Sequence, residues 1–281
     1  MYLAHHRPLI IHLRILYTSV YSMSVALHSS FTLAASILVI GTLSAGFVYE
    51  AVTRRRDARR FPPLGRLIDV GGRRLHLLAK GTGGPTIVIE QGAGSPSLAW
   101  LSVLDQVAPF ACVCLYDRAG YQWSDAVSRP RTIEDRVRDL HALLKGAALP
   151  EPYILVAHSY GGFLVRLFAR QYPDKVAGMV LVDTPHERTY FRREVLSLYS
   201  KFAWVLRLMK TLSWFGIPRL VLRLTAKADP SIPSDVTARI NAGMVRRESF
   251  AAAMDDLRSC QKALPWILKP DALGNLGDIP L

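Results

Sequence analysis

Asp, Glu, Lys and Arg are all absent between Arg14 and Glu50. A stretch of that length without charge is neither a solvated linker nor a surface helix of a water-soluble domain, whose outer face must be polar. Cysteine is scarce: three residues, an odd number, with no metal-ligand spacing, which excludes a disulfide-stapled scaffold. Cys112 and Cys114 stand two apart in an apolar run and read as buried thiols on one face of a strand. No phosphate-binding glycine loop, dinucleotide fingerprint or metal-ligand cluster occurs, so neither cofactor nor metal is predicted. Acids are in short supply, 22 against 35 Lys and Arg, for a formal charge of +13. No stripe of interleaved basic and aromatic residues recurs, so nucleic acid is not predicted as a partner. Apolar residues, by contrast, make up 50% of the chain, which excludes disorder and suffices for the core of one large α/β domain.

Within the uncharged stretch, Phe31 to Tyr49 is apolar or small throughout. As a helix it covers roughly 28 Å, close to the ~30 Å hydrocarbon core of a bilayer. The rival is a cleaved signal peptide, but the apolar region is long and the arginines follow it rather than precede it. Arg54, Arg55, Arg56, Arg59 and Arg60 stand against a single Asp57. Only Arg7 and Arg14 lie upstream, so the positive-inside rule predicts one pass through the cell membrane with the bulk of the chain cytoplasmic. The reading divides this end into an extension over 1–30, a transmembrane helix over 31–49 and a basic linker over 50–62. Met1 and Met23 are both candidate starts.

From residue 63 onward the fold class is α/β, with short apolar runs alternating with helical stretches. Leu67 to Val70 and Leu75 to Ala79, separated by Gly71-Gly72, predict a hairpin. Pro85 to Glu90, Ala111 to Tyr116, Tyr153 to Ala157 and Val176 to Asp183 predict parallel strands buried on both faces. Helices fit over 97–108, 133–145 and 162–171. Further helices without strands are predicted around 194–211, 216–227, 233–246 and 248–263.

Ala157-His158-Ser159-Tyr160-Gly161 ends the third of these strands and leads straight into a helix. This is the nucleophile-elbow pattern, in which a sharp strand-to-helix turn lifts a Ser hydroxyl above the sheet and needs small residues two positions either side. The catalytic candidate is therefore Ser159. A tetrahedral oxyanion needs N–H donors; in this geometry one follows the nucleophile, at Tyr160, and the other comes from the loop Glu90-Gln91-Gly92-Ala93-Gly94, where Ala93 is the candidate. A plain turn is the alternative for that loop.

The loop EQGAGSPSLAW, the segment YDRAGYQWS from Tyr116 and the elbow AHSYGG occur in an order and spacing that resemble the α/β-hydrolase superfamily, specifically serine hydrolases with an N-terminal membrane helix. The resemblance implies an α/β-hydrolase core over 63–186 with a mostly parallel sheet, and a helical cap over 187–275 roofing the pocket. Residues 276–281 would then begin a truncated last part of the core, without the final strands that carry the triad acid and His. The triad order in this fold is Ser, acid, His, and His186 is the only histidine after Ser159. An Asp183/His186 pair is the alternative source of acid and base. His76, His141 and His158 read as structural or surface residues, and Asp117 and Arg118 as residues that pin the loop after their strand. The resemblance implies a membrane-anchored hydrolase of small ester or acyl substrates, impaired by the missing residues. The alternative is a non-catalytic relic or interaction protein of the same fold.

Overall fold

The computed structural model describes residues 7–185, 193–226, 232–267 and 279–280. A hairpin opens the core: β1 (Arg66–Asp69) pairs antiparallel with β2 (Arg74–Lys80). Its turn uses Gly71 and Gly72, both at positive φ, and the Asp69 carboxylate accepts from both of their N–H groups at 2.8 and 3.1 Å. Such a turn favours glycine because a side chain is strained in the left-handed region. The other four strands are mutually parallel: β3 (Thr86–Glu90), β4 (Val113–Tyr116), β5 (Tyr153–His158) and β6 (Val176–Val182), in the sheet order β1-β2-β4-β3-β5-β6.

Strand residues alternate between two apolar layers, as the period of two requires. Val88, Cys114 and Leu155 pack against α3 (Ile133–Gly146) and α4 (Gly161–Gln171). Ile89, Val113 and Leu115 pack on the other face against α2 (Leu101–Val107). Helix α3 starts at a capping box formed by Thr132 and Asp135. Cys114 is buried as read from sequence, whereas Cys112 lies just before β4 and is only half-buried. The far edge of the sheet is β6, where Met179 N–H donates to Pro280 O at 2.9 Å while Val180, Leu181 and Val182 stay exposed.

Among the described residues four helices follow: α5 (Arg193–Leu212), α6 (Ile217–Thr225), α7 (Ser234–Met244) and α8 (Arg247–Ile267), within a few residues of the ranges read from sequence. Helices α5 and α8 share a small apolar core of Leu206, Ala252, Ala253, Met254 and Leu257.

Helix α1 runs unbroken from Arg7 to Arg60, about 80 Å at the usual rise, so residues 50–60 of the basic linker are helical. Glu50, Arg54 and Asp57 lie on one face at helical spacing. Arg219 of α6 reaches Glu50 at 2.9 Å and Asp57 at 2.7 Å, and Arg54 reaches Glu248 at 2.7 Å. These ion pairs dock the last turns of α1 on the α6 and α8 region. They are invisible in a local reading of the chain because the partners lie more than 160 residues away.

Candidate active site

The site begins with backbone geometry. Ser159 follows the last residue of β5 and adopts φ 49°, and its N–H donates to Val182 O at 3.1 Å. A non-glycine residue in this region carries a strain of about 1–3 kcal/mol, held in place only by well-packed surroundings. Those surroundings admit only small residues. Ala157 is fully buried, a Cβ on Gly161 would stand 2.5 Å from Glu90 O, and a Cβ on Gly162 would overlap the Thr184 side chain. Gly161→Ala is therefore expected to displace the elbow from β3 and to destabilise the protein by about 1–3 kcal/mol or more. A melt of the variant, alongside wild type, checks it; an unchanged melting temperature would mean that β3 yields freely.

Ser159, Tyr160, Ala93 and Gly92 line one cavity of about 140 Å³, roofed by Tyr199 and Phe202 of α5 and by Ala253 and Leu257 of α8. The three residues singled out from sequence, Ser159, Ala93 and Tyr160, thus come together under the helical layer. A second cavity of about 140 Å³ shares Ala93, Gly94, Phe202 and Ala253 and continues to Leu206, Met244 and Phe250. Its apolar lining suits a hydrocarbon chain.

The loop after β3 is held from below by Arg118, whose guanidinium donates to Gln91 O at 2.6 Å and Gly92 O at 2.7 Å. In a trans peptide C=O and N–H point opposite ways. With the Gly92 carbonyl turned to Arg118, the Ala93 N–H points away from it. Among the described residues neither the Ala93 nor the Tyr160 N–H donates to a protein acceptor, which leaves two backbone donors beside the Ser159 cavity.

Arg118 also ties the core to α8. It pairs with Glu90 and, at 2.9 Å, with Asp256; Asp256 in turn accepts from the Tyr121 hydroxyl at 2.6 Å and from Arg136 at 3.1 Å. The Tyr121 hydroxyl accepts from Gly94 N–H, and Tyr116 bonds Glu90. The cluster is buried. Burial raises Glu90, and Arg118 and Tyr116 only partly offset it. For Asp256, burial works the same way but Arg118 and Arg136 outweigh it and hold the carboxyl below the usual aspartate range. This network was missed at the level of sequence. Its signal was an acid pair, Asp255-Asp256, directly after the apolar run Ala251-Ala252-Ala253-Met254.

The histidines divide. His76 is buried, its Nδ1 2.8 Å from Asp117 and its Nε2 accepting from Gly65 N–H, with its ring against Trp123. His141 stacks on Tyr172. Both are structural, as read. His158, read from sequence as a structural or surface residue, lines the same cavity as Ser159, its Nδ1 beside Gly92. The positive φ at Ser159 breaks strand alternation, so two consecutive side chains reach one space. Among the described residues no side chain hydrogen-bonds the Ser159 hydroxyl. Asp183 directly follows β6, at φ 46°, and is exposed; His186 lies outside the described residues.

Residues 85–210 match the family model for the alpha/beta hydrolase fold. A relative named "Probable transporter efuK" from Hormonema carpetanum is 37% identical over 137 residues, 46% of this chain and 20% of the relative. The Bacillus subtilis protein YqjL is 38% identical over 104 residues, 37% of this chain and 41% of that protein. The chain thus spans less than half the length of these curated relatives. Among solved structures, the Bacillus megaterium epoxide hydrolase in complex with an inhibitor superposes with TM-score 0.56 at 21% identity, covering 77% of each chain. The strand order, the elbow and the match over residues 85–210 together show that the chain has the α/β-hydrolase fold.

Proposed function

We propose that this protein is a membrane-anchored serine hydrolase acting on carboxylic esters or similar acyl substrates. The observation that carries the reading is Ser159 at a left-handed elbow, in a cavity shared with Ala93 and Tyr160, whose N–H groups have no protein acceptor among the described residues. In this reading the Ser159 hydroxyl attacks an acyl carbonyl, the two amides hold the oxyanion, and the apolar space beyond Ala93 takes the acyl chain. The superposed epoxide hydrolase shares the fold; hydrolases of epoxides and haloalkanes attack with a carboxylate, and a hydroxyl at this position favours acyl transfer instead. Anchoring is supported by α1, whose segment from His28 to Arg60 is long and apolar enough to cross a membrane and has no buried stretch across its apolar window. The arginines after the span favour a cytoplasmic domain and a single pass through the cell membrane.

A second reading, a non-catalytic relic or interaction protein, draws on the absence of a general base in contact with Ser159 among the described residues. A fluorophosphonate probe separates the two. The first reading expects one adduct on the full-length protein, mapped to the Ser159 peptide by mass spectrometry; no adduct on that peptide overturns it in favour of the second. Alkaline carbonate extraction is expected to leave the protein in the membrane pellet, and release into the supernatant overturns the anchor.

A further inference from the structure

A cavity of about 560 Å³ is walled by α1 from Phe47 to Ala58, by Trp214 and by the α7–α8 corner. It takes no part in the Ser159 site. We propose that this cavity binds the phosphate headgroup of an anionic membrane lipid, an inference that rests on the anchoring of α1 in a bilayer.

Position is the first argument. The α1 wall begins inside the apolar span, at Phe47, and ends about 17 Å further along the helix, so the cavity opens where the headgroup layer of the bilayer begins. Phe47 stacks on Trp214 with ring centroids 6.0 Å apart, and Gly216 abuts the Tyr49 ring, an aromatic arrangement suited to the membrane interface. Helix α6 starts at that contact and turns Leu220, Val221 and Leu224 outward, the last 77% exposed. An apolar stripe facing away from the protein suits a helix lying against lipid.

Charge is the second. Arg54, Arg55, Arg239, Arg246 and Arg247 line the cavity with Glu50 and Asp57. Both acids are held by Arg219, and Glu248 is held by Arg54. Arg55 and Arg247 have no acidic partner among the described residues, and the Arg247 guanidinium is steadied 4.6 Å over the Trp214 ring. Burial, then the nearby Arg54, hold Arg246 below the usual arginine value despite the pull of Glu248; a bound anion relieves that crowding. Guanidinium forks match phosphate oxygens in geometry as well as charge.

The test titrates the full-length protein in neutral detergent with dihexanoyl-phosphatidylglycerol, dihexanoyl-phosphatidylcholine and inorganic phosphate, following binding and melting temperature. Saturable binding of the phosphatidylglycerol with a raised melting temperature is expected, without either effect from the other two at equal concentration. Arg55→Gln/Arg247→Gln should weaken that binding about tenfold or more. Arg56→Gln/Arg59→Gln removes the same charge from α1 positions that do not line the cavity and should leave it unchanged; all four residues are exposed, so both variants should fold. Equal weakening in the two double variants would reduce the effect to bulk charge and overturn the site. So would an absence of saturable binding, and equal binding of inorganic phosphate would overturn the lipid assignment. Carbonate extraction reports the anchor and Ser159 labelling the hydrolase, so failure of either is told apart from failure here.

Discussion

Turnover of a p-nitrophenyl ester by the full-length protein is expected to fall in Ser159→Ala to what oxyanion binding alone supports, a loss of roughly 10³-fold or more in kcat. The variant removes one oxygen from a cavity that is otherwise unchanged, so KM should move little. Ala93→Pro provides the matching test of the oxyanion donors. It deletes the Ala93 N–H, and loss of one such donor costs about 10²–10³-fold in kcat. His186→Ala completes the set: a loss as large as that of Ser159→Ala would make His186 the base, with Asp183 directly after β6 as the available acid. No change in His186→Ala means the base comes from elsewhere. If Ser159→Ala hydrolyses the ester as fast as wild type, the elbow serine is not the nucleophile and the non-catalytic reading stands.

The largest effect on stability is expected at Arg118. Arg118→Met leaves Glu90 and Asp256 buried, with their strongest partner gone, and breaking a buried pair from one side costs about 3–5 kcal/mol. For a domain of this size that is a fall in melting temperature on the order of 10 °C. The Gln91 and Gly92 carbonyls lose their donor at the same time, so any folded variant should also lose oxyanion support. Arg118→Lys should recover only part of either loss, because a single ammonium cannot reach both carboxylates and both carbonyls. An unchanged melting temperature in Arg118→Met would show that the cap is held to the core by other contacts. The pH dependence has a definite sign. The folded carboxyl of Asp256 lies below its unfolded value, so its contribution is fully present above the ordinary aspartate range, near pH 4, and is lost as pH falls below that. Glu90, raised by burial, works in the opposite direction, so Asp256→Asn should flatten the acid limb of a pH-melting curve, not steepen it.

How far the sequence reached depended on the range of the interaction. Among the described residues, the six strands, the three core helices and the four later helices are all legible in residue order, because each rests on a local period, a turn glycine or a cap within a few positions. The elbow is local too: Ala157, Ser159 and Gly161 lie within five residues, and the strain at Ser159 follows from a strand meeting a helix. Its meeting with Ala93 could be inferred from the order of the strands, because β3 and β5 are neighbours in the sheet.

What only the tertiary structure decided is held by charges distant in sequence. The arginine-rich segment over 50–62 reads as a basic linker until Arg219 and Glu248 are seen to meet Glu50, Asp57 and Arg54. Nothing local to Asp256 names its partners; they appear only when α8 is laid on Arg118 and Arg136. Composition and periodicity report how much apolar surface a segment must bury, and so determined the α/β order and the elbow. They carry no record of which buried charge finds which partner, since that pairing is set by desolvation and geometry once the layers have closed.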